Sequence, residues 1–233
     1  MSSESFVRFW CAITSKKGAK DRAKGVLKAI SRYRPKSKRI LELGVGIGTV
    51  IQFFPNKYKL YGIDVLRKAI KICKKNFPKG KFYVASMHNF KINNKFDVIF
   101  SVYDTINFLK NFRQWQSTFD NVNNHLDING LFIFDMYTEK ALRDFKKSTP
   151  QIHKFSMGYT WDMPIIRGNN LTWDYRIHER VSKNKYKVHK YKWTEKIFTK
   201  AKVKLAIQKR FIILNSYYFD DKRRIFFICR KKN

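Results

Sequence analysis

Acidic residues are scarce in this chain: 17 Asp and Glu stand against 50 Lys and Arg, for a formal net charge of +33. Cysteine is scarcer, with three in 233 residues, Cys11, Cys73 and Cys229. They are odd in number, far apart and without paired metal-type spacing. That excludes a disulfide framework and a metal centre, and points to a reducing, cytoplasmic compartment in which the cysteines are packing residues. With only five prolines and ten glycines, no linker breaks the chain into two independent domains. No apolar run approaches the eighteen or so residues of a membrane span, and residues 1–9 lack the basic segment and apolar run of a secretory leader. What is present is the composition of a packed globule, 44% hydrophobic and 16% aromatic, long enough to bury a core as one soluble domain.

The positive excess has two readings, and both stay open. Lys and Arg that neutralise phosphates release counterions, so the charge suits a nucleic-acid partner. The lysines are nevertheless scattered among many Asn, Ile and Phe residues, a composition that biased codon usage also produces. Their densest clusters, 183–202 and 222–232, sit late in the chain.

Periodicity separates the chain into two styles. After a helical pattern over 19–33, ended by Arg34-Pro35, short apolar runs at 39–43, 59–63, 81–85, 96–102 and 131–135 alternate with segments of 3.6-residue period at 49–54, 66–76 and 112–126. Such alternation predicts an α/β fold, an open and mostly parallel sheet with helices on both faces. The last third predicts antiparallel strands at 156–162, 171–180 and 185–193, with turns at 168–170 and 183–184. A helix from about Thr194, as cap, and a terminal hairpin of 211–219 with 224–230 complete it. The expected organisation is one domain, 1–233. Within it lie an N-terminal helical lid (1–35), a cofactor-binding core (36–148), a small antiparallel insertion on the substrate side (150–193), and a C-terminal helix and hairpin of the core sheet (194–233).

The first strand runs into Leu41-Glu42-Leu43-Gly44-Val45-Gly46-Ile47-Gly48-Thr49, directly before a helical pattern. Strand, glycine-rich turn and helix is the context of a nucleotide-type site. Side chains at Gly44 or Gly46 would occupy the space where a ligand approaches the backbone, and such turns often need positive φ. The dinucleotide fingerprint would place Gly or Ala where Thr49 stands, so hydride transfer is disfavoured. The second strand ends in Tyr61-Gly62-Ile63-Asp64. A carboxylate there is placed to accept hydrogen bonds from the ribose hydroxyls of an adenosyl group; capping of the helix near Leu66 is the alternative role, and both can hold.

Together with Phe96-Asp97-Val98-Ile99 and the run from Tyr103 through Asp104 and Asn107 to Leu109, these residues resemble the class I S-adenosylmethionine-dependent methyltransferases. The similarity covers residues 38–138 well and is nearest the small-molecule branch of amino-sugar and glycine-type N-methyltransferases. It implies the Rossmann-like methyltransferase sheet, with S-adenosylmethionine as cofactor. By the same resemblance Gly44, Gly46 and Gly48 hold its methionine part and Glu42 orders the loop. Asp64 holds the ribose, and Val65 and Met87 sandwich the adenine; Ser101, which opens the loop after the fourth strand at the same carboxyl edge, is a further cofactor-binding candidate. Where the family commonly has an acidic residue reading the adenine amino group, this chain has Ser86. Phe9 and Trp10, by resemblance, fold over the cofactor.

Methyl transfer is an in-line displacement on a sulfonium, and the protein's task is alignment. No triad or metal site is needed, and none is expected. The loop after the fourth strand should line the acceptor pocket, with Tyr103, Asp104 and Asn107 foremost and Tyr137 from the next strand. Asp104 is a candidate proton acceptor or, alternatively, a helix cap. His178 and His189, on insertion strands, are further candidate proton acceptors. Trp161 and Trp173, with Tyr159 and Tyr175, fall on alternate strand positions and offer either core or a wall for the acceptor. Three functions follow. The first is methyl transfer to a nitrogen or oxygen of a small molecule. The second is RNA or DNA methylation suggested by charge, against which the fourth-strand loop lacks the Asn/Asp-Pro-Pro-Tyr/Phe tetrapeptide. The third is non-catalytic adenosine binding. A small-molecule acceptor without a membrane partner is the expected reading.

Overall fold

The computed structural model describes residues 15–155, 158–183 and 185–232. The main sheet has seven strands. In chain order they are β1 (Arg39–Leu43), β2 (Lys59–Asp64), β3 (Lys81–Val84), β4 (Phe96–Ser101), β5 (Leu126–Tyr137), β10 (Phe211–Phe219) and β11 (Arg224–Lys231). Across the sheet the order is β10-β11-β5-β4-β1-β2-β3. The pairs from β3 to β5 are parallel, while β11 runs antiparallel to both β5 and β10. The chain builds outward from β1 through β2 to β3, then returns to the other side of β1 with β4. This reversal leaves a crevice beyond the carboxyl ends of β1 and β4, where open α/β sheets take their ligands.

Helices cover both faces, so central strands are buried throughout: all six residues of β4 are buried, as a parallel sheet in a two-sided sandwich requires. On one face lie α1 (Lys16–Tyr33) and α2 (Arg67–Asn76), packing Val26, Ile30, Ile70 and Cys73 against Ile40, Val98, Phe100 and Ile133. On the other, α3 (Phe112–His125) and α5 (Lys200–Gln208) set Trp115, Phe119, Val203 and Ile207 against Ile99, Phe132, Phe134 and Phe227. Capping fixes where these helices start. Ser15 accepts from Gly18 N–H, Asn111 from Gln114 N–H and Thr199 from Lys202 N–H, each satisfying an N–H without a helical partner. Below the sheet, the Asp97 carboxylate accepts from the Lys38 and Arg39 N–H groups at 3.0 and 2.8 Å and pairs with Arg34 at 3.0 Å. It thereby locks the approach to β1 onto the start of β4.

The expected helix at 49–54 is instead a turn and a single 3-10 turn, Ile51–Phe53. Only six residues separate Gly48 from Pro55, too few to nucleate a helix, and the proline holds Phe54 extended with ψ 136°. A short helix not foreseen from the sequence, α4 (Glu139–Lys146), follows β5. The insertion is a four-stranded antiparallel sheet of β6 (Gln151–Phe155), β7 (Gly158–Arg167), β8 (Asn170–Ser182) and β9 (Lys185–Lys196). Strand β9 runs past Trp193 because Thr194 hydrogen-bonds across the ladder to Thr172 at 2.8 Å. Thr194 therefore caps no helix, and Thr199 does so instead. Cys73 and Cys229 are buried free thiols whose pKa burial raises. Cys11, Phe9 and Trp10 lie outside the described residues. No helix among the described residues is long and apolar enough to cross a membrane.

Candidate active site

The turn after β1 is built on three glycines with positive φ: +77° at Gly44, +54° at Gly46 and +91° at Gly48. Their surroundings give them different jobs. A Cβ on Gly44 would come within 2.2 Å of Thr105 Cγ2, and one on Gly48 within 2.2 Å of the Phe77 ring. Those two glycines admit neighbouring protein. Only at Gly46 does the missing side chain open onto free space, with nothing within 4 Å. The turn is pinned by Gly44 and Val45 N–H groups donating to the Ile63 carbonyl at 2.8 and 2.9 Å. Val45 can lie there because β2 carries Gly62, where a Cβ would meet it at 2.7 Å.

Asp64 joins this turn to the tip of β2. Its Oδ2 accepts from Gly46 N–H at 2.9 Å and its Oδ1 from Leu66 N–H at 2.8 Å. It thus supports the entry to α2, although the cap position belongs to Leu66. Burial raises its pKa, with the backbone N–H donors pulling the other way. A carboxylate has about four acceptor positions, so these bonds leave it capacity for further hydroxyl donors. Beneath it, Glu42 is buried. Burial first, and the Asp64 charge second, push its pKa well above the usual carboxylate range. Glu42 Oε2 receives no hydrogen bond among the described residues. An orphaned carboxylate oxygen, an open glycine and a carboxylate with spare acceptor positions fit a ligand rich in N–H and O–H donors.

The remaining residues assigned to the cofactor divide. Val65 is 64% exposed beside Asp64. Met87 is buried within the core cluster of the α3 face. Ser86 shares a 2.7 Å hydrogen bond with His88 Nδ1. Ser101 donates to the Leu43 carbonyl at 3.1 Å, tying β4 to β1 directly beneath the crevice.

The loop after β4 is strained. Tyr103 and Asp104 have φ of +62° and +50°, a conformation that costs a non-glycine residue about 1–2 kcal/mol. The Asp135 carboxylate offsets this by accepting both N–H groups, at 3.2 and 2.5 Å. Asp135 is fully buried, and burial raises its pKa although Arg22 and Arg224 act against the shift. Arg22 reaches it from α1 at 3.5 Å and lays its guanidinium 3.7 Å over the Tyr103 ring. The Asp104 carboxylate is ion-paired with the buried Arg224 of β11. Arg224 also donates to Tyr137 Oη at 2.7 Å and lies 3.5 Å from Asp220. Asn107 is spent on the backbone: it donates to the Lys196 carbonyl at 2.8 Å and accepts from Tyr137 N–H at 3.1 Å. It thereby fixes the end of β9 against the crevice.

Strand register decides which insertion residues meet this cluster. The buried face carries Thr160 and Asp162, then Leu171, Trp173, Tyr175 and Ile177, then His189, Tyr191, Trp193 and Glu195. Its lower end packs Leu171 and Trp173 with Tyr137, Ala141 and Ile197, and Glu195 meets Asp104. Tyr175 stacks on Trp193 with ring centres 4.9 Å apart. Trp173 therefore packs beside Tyr137, next to the cluster of Asp104 and Arg224. His189 shares that face but bonds Glu179 at 3.1 Å, far along the ladder. Trp161 and His178 occupy the opposite face, where they meet Arg176 and Tyr159. The structure does not bring those two to the cluster. Sequence reasoning passed over Arg22, Asp135, Glu195 and Arg224. The available signal was an acid, Glu195, in a lysine-rich strand of a chain with few acids.

Residues 40–130 match a protein family described as a methyltransferase domain. No curated protein matches the chain. Among solved structures, an S-adenosylmethionine-dependent methyltransferase from Clostridium acetobutylicum is similar at 15% identity with a TM-score of 0.85, covering 99% of both chains. DesVI of Streptomyces venezuelae is similar at 12% identity and 0.82, covering 100% of this chain and 99% of its own. CalS10, an amino pentose methyltransferase from Micromonospora echinaspora, is similar at 13% and 0.76, covering 92% of each chain. At such identities the likeness is one of fold.

Proposed function

We propose that this chain, whose residues 40–130 match a methyltransferase domain, moves a methyl group from S-adenosylmethionine to a nitrogen or oxygen of a small molecule. The observation that carries this reading is the open space at Gly46 beside Asp64, in a chain whose fold resembles SAM-bound CalS10. When bound, the cofactor supplies an electrophilic methyl group on a sulfonium, so the chemistry demands little beyond alignment.

The protein's residues would divide that work. Gly46 admits the ligand to the backbone, Asp64 takes ribose hydroxyls on its spare acceptor positions, and Glu42 accepts a donor from the ligand's polar end. On the acceptor side, Trp173, Tyr137 and the loop of Tyr103 and Asp104 form a partly aromatic, partly acidic wall closed by the insertion. A wall of that kind suits a small polar acceptor. Nitrogen acceptors are further supported by neighbours described as N-methyltransferases, such as KedS8. Calorimetric titration of S-adenosylmethionine into wild type and Asp64→Ala tests the reading. Loss of the carboxylate should weaken binding about tenfold or more, since hydrogen bonds to a charged group contribute about 1.5–3 kcal/mol. Equal affinity would overturn it.

A further inference from the structure

Glu195 stands where β9 crosses the carboxyl edge of the main sheet, and it is only 2% exposed. Its Oε1 accepts from Trp193 Nε1 at 3.3 Å. No donor among the described residues reaches its Oε2, and its polar neighbour is the carboxyl of Asp104. Asp104 is itself committed to Arg224, which also donates to Tyr137 and lies 3.5 Å from Asp220. Arg22, the second guanidinium nearby, serves Asp135. Glu195 is thus a buried acid with no cation of its own, one residue before the Lys196 carbonyl that Asn107 pins over the crevice. A carboxyl buried beside another acid and without a cation of its own keeps its proton.

We propose that Glu195 is the proton acceptor of the acceptor pocket and that the acceptor is an amine, whose ammonium takes the place of the proton on Glu195. This rests on the methyl-transfer reading above. Amine binding releases one proton to solvent and leaves two carboxylates balanced by Arg224 and the ammonium. In the transfer, an N–H bond breaks and its proton passes to Glu195. The freed nitrogen pair forms the N–C bond, and the pair of the breaking C–S bond stays on sulfur. Two cations and one carboxylate become one methylated ammonium, a neutral thioether and a neutral carboxylic acid, so the charge balances. The pocket's polarity supports the assignment: burial first, and the Asp104 carboxyl second, push the Glu195 pKa well above the usual range, against Arg224 and the Trp193 N–H. A second cation is what such a pocket lacks.

The test is spectroscopic and needs no turnover. The infrared spectrum of wild type minus that of Glu195→Gln at neutral pH should show a protonated-carboxyl band, with the contribution of Glu42 cancelling. With S-adenosylhomocysteine present, cyclohexylamine should remove that band and release protons to a pH indicator. Cyclohexanol, of the same shape, should do neither, and should bind about tenfold or more weakly, the margin of a charge-assisted over a neutral hydrogen bond. The amine arm uses wild type alone, so it survives poor folding of the variant. No protonated-carboxyl band in that difference, or an amine that fails to bind or binds without proton release, overturns the proposal. Failure of wild type to bind S-adenosylmethionine would instead overturn the methyl-transfer reading and leave the carboxyl band where it is.

Discussion

Three glycines in one turn invite three identical substitutions, and the structure assigns each a different outcome. At Gly44 an alanine suffers twice. Its φ of +77° costs about 1–2 kcal/mol for a residue with a Cβ, and that Cβ lies 2.2 Å from Thr105 Cγ2. Thr105 cannot simply rotate away, because its hydroxyl donates to the Val102 carbonyl at 2.6 Å. Overpacking of this kind costs about 1–3 kcal/mol. The total is about 2–5 kcal/mol, which for a chain of this size lowers Tm by about 5–20 °C. At Gly46 only the backbone term applies, since nothing lies within 4 Å; the expected loss is about 1–2 kcal/mol, or about 2–8 °C. The methyl group would, however, stand where the ligand approaches, and calorimetric affinity for S-adenosylmethionine should fall about tenfold or more, equivalent to about 1.4 kcal/mol. Gly44→Ala should thus damage stability first and Gly46→Ala binding first. If Gly46→Ala binds the cofactor as wild type does, the open side of the turn is not the ligand's side, and the assignment of this crevice fails.

Arg224→Met should destabilise the fold by about 3–5 kcal/mol in denaturant unfolding, because it leaves Asp104 buried without its cation. A loss below about 1 kcal/mol would mean that the acidic cluster is already neutral without it. Asp97→Asn should erase a pH dependence rather than a pocket. Burial acts to raise the Asp97 pKa, but the Arg39 and Lys38 N–H groups and Arg34 outweigh it and hold the carboxyl below its usual range. Its contribution is therefore complete above about pH 3.9, the unfolded value, and is lost as pH falls through the lower folded pKa. Parallel acid-unfolding curves for wild type and variant would refute that. For Glu195 the sign is opposite. A carboxyl with a raised pKa favours the folded state at low pH and disfavours it progressively as pH rises above about 4.3, so the Tm of Glu195→Gln should gain on wild type toward alkaline pH.

The cofactor half of the fold was legible because its signals are local. Strands β1, β2 and β4 are short and largely apolar, the glycines sit in one turn, and Asp64 ends the neighbouring strand, so period and punctuation place them within a residue or two of where they stand. The cluster at the carboxyl edge was less legible because it is assembled from distant parts of the chain. Arg22 comes from α1, Asp104 from the β4 loop, Asp135 from β5, Glu195 from β9 and Arg224 from β11. Nothing in local spacing joins them; only the crossing of β9 over the main sheet and the return of β11 beside β5 do. Strand parity explains the partial success with aromatics. Alternation correctly paired Tyr159 with Trp161 and Trp173 with Tyr175. Which pair faces inward depends on the register that sets Trp173 opposite Trp193 and His178 opposite Val188, and a one-residue slip would exchange the faces.

The net charge and the site chemistry pull in opposite directions, and burial separates them. The positive excess of +33 lies in a large population of lysines, which keep their ammonium groups in water. Six of the few acids, Glu42, Asp97, Asp104, Asp135, Asp162 and Glu195, are instead buried. Four of these, Glu42, Asp104, Asp135 and Glu195, gather with half-buried Asp64 around the carboxyl edge of the sheet. Surface charges fade over about 8 Å at physiological ionic strength, whereas the carboxyls in the crevice act on a ligand at contact, with little water between. Under the amine proposal, a cationic acceptor would meet a basic exterior that repels it only weakly and an interior that lacks one positive charge. The exterior charge governs what adheres to the protein at low salt. On the proposal made above, the choice of acceptor falls to the few buried acids.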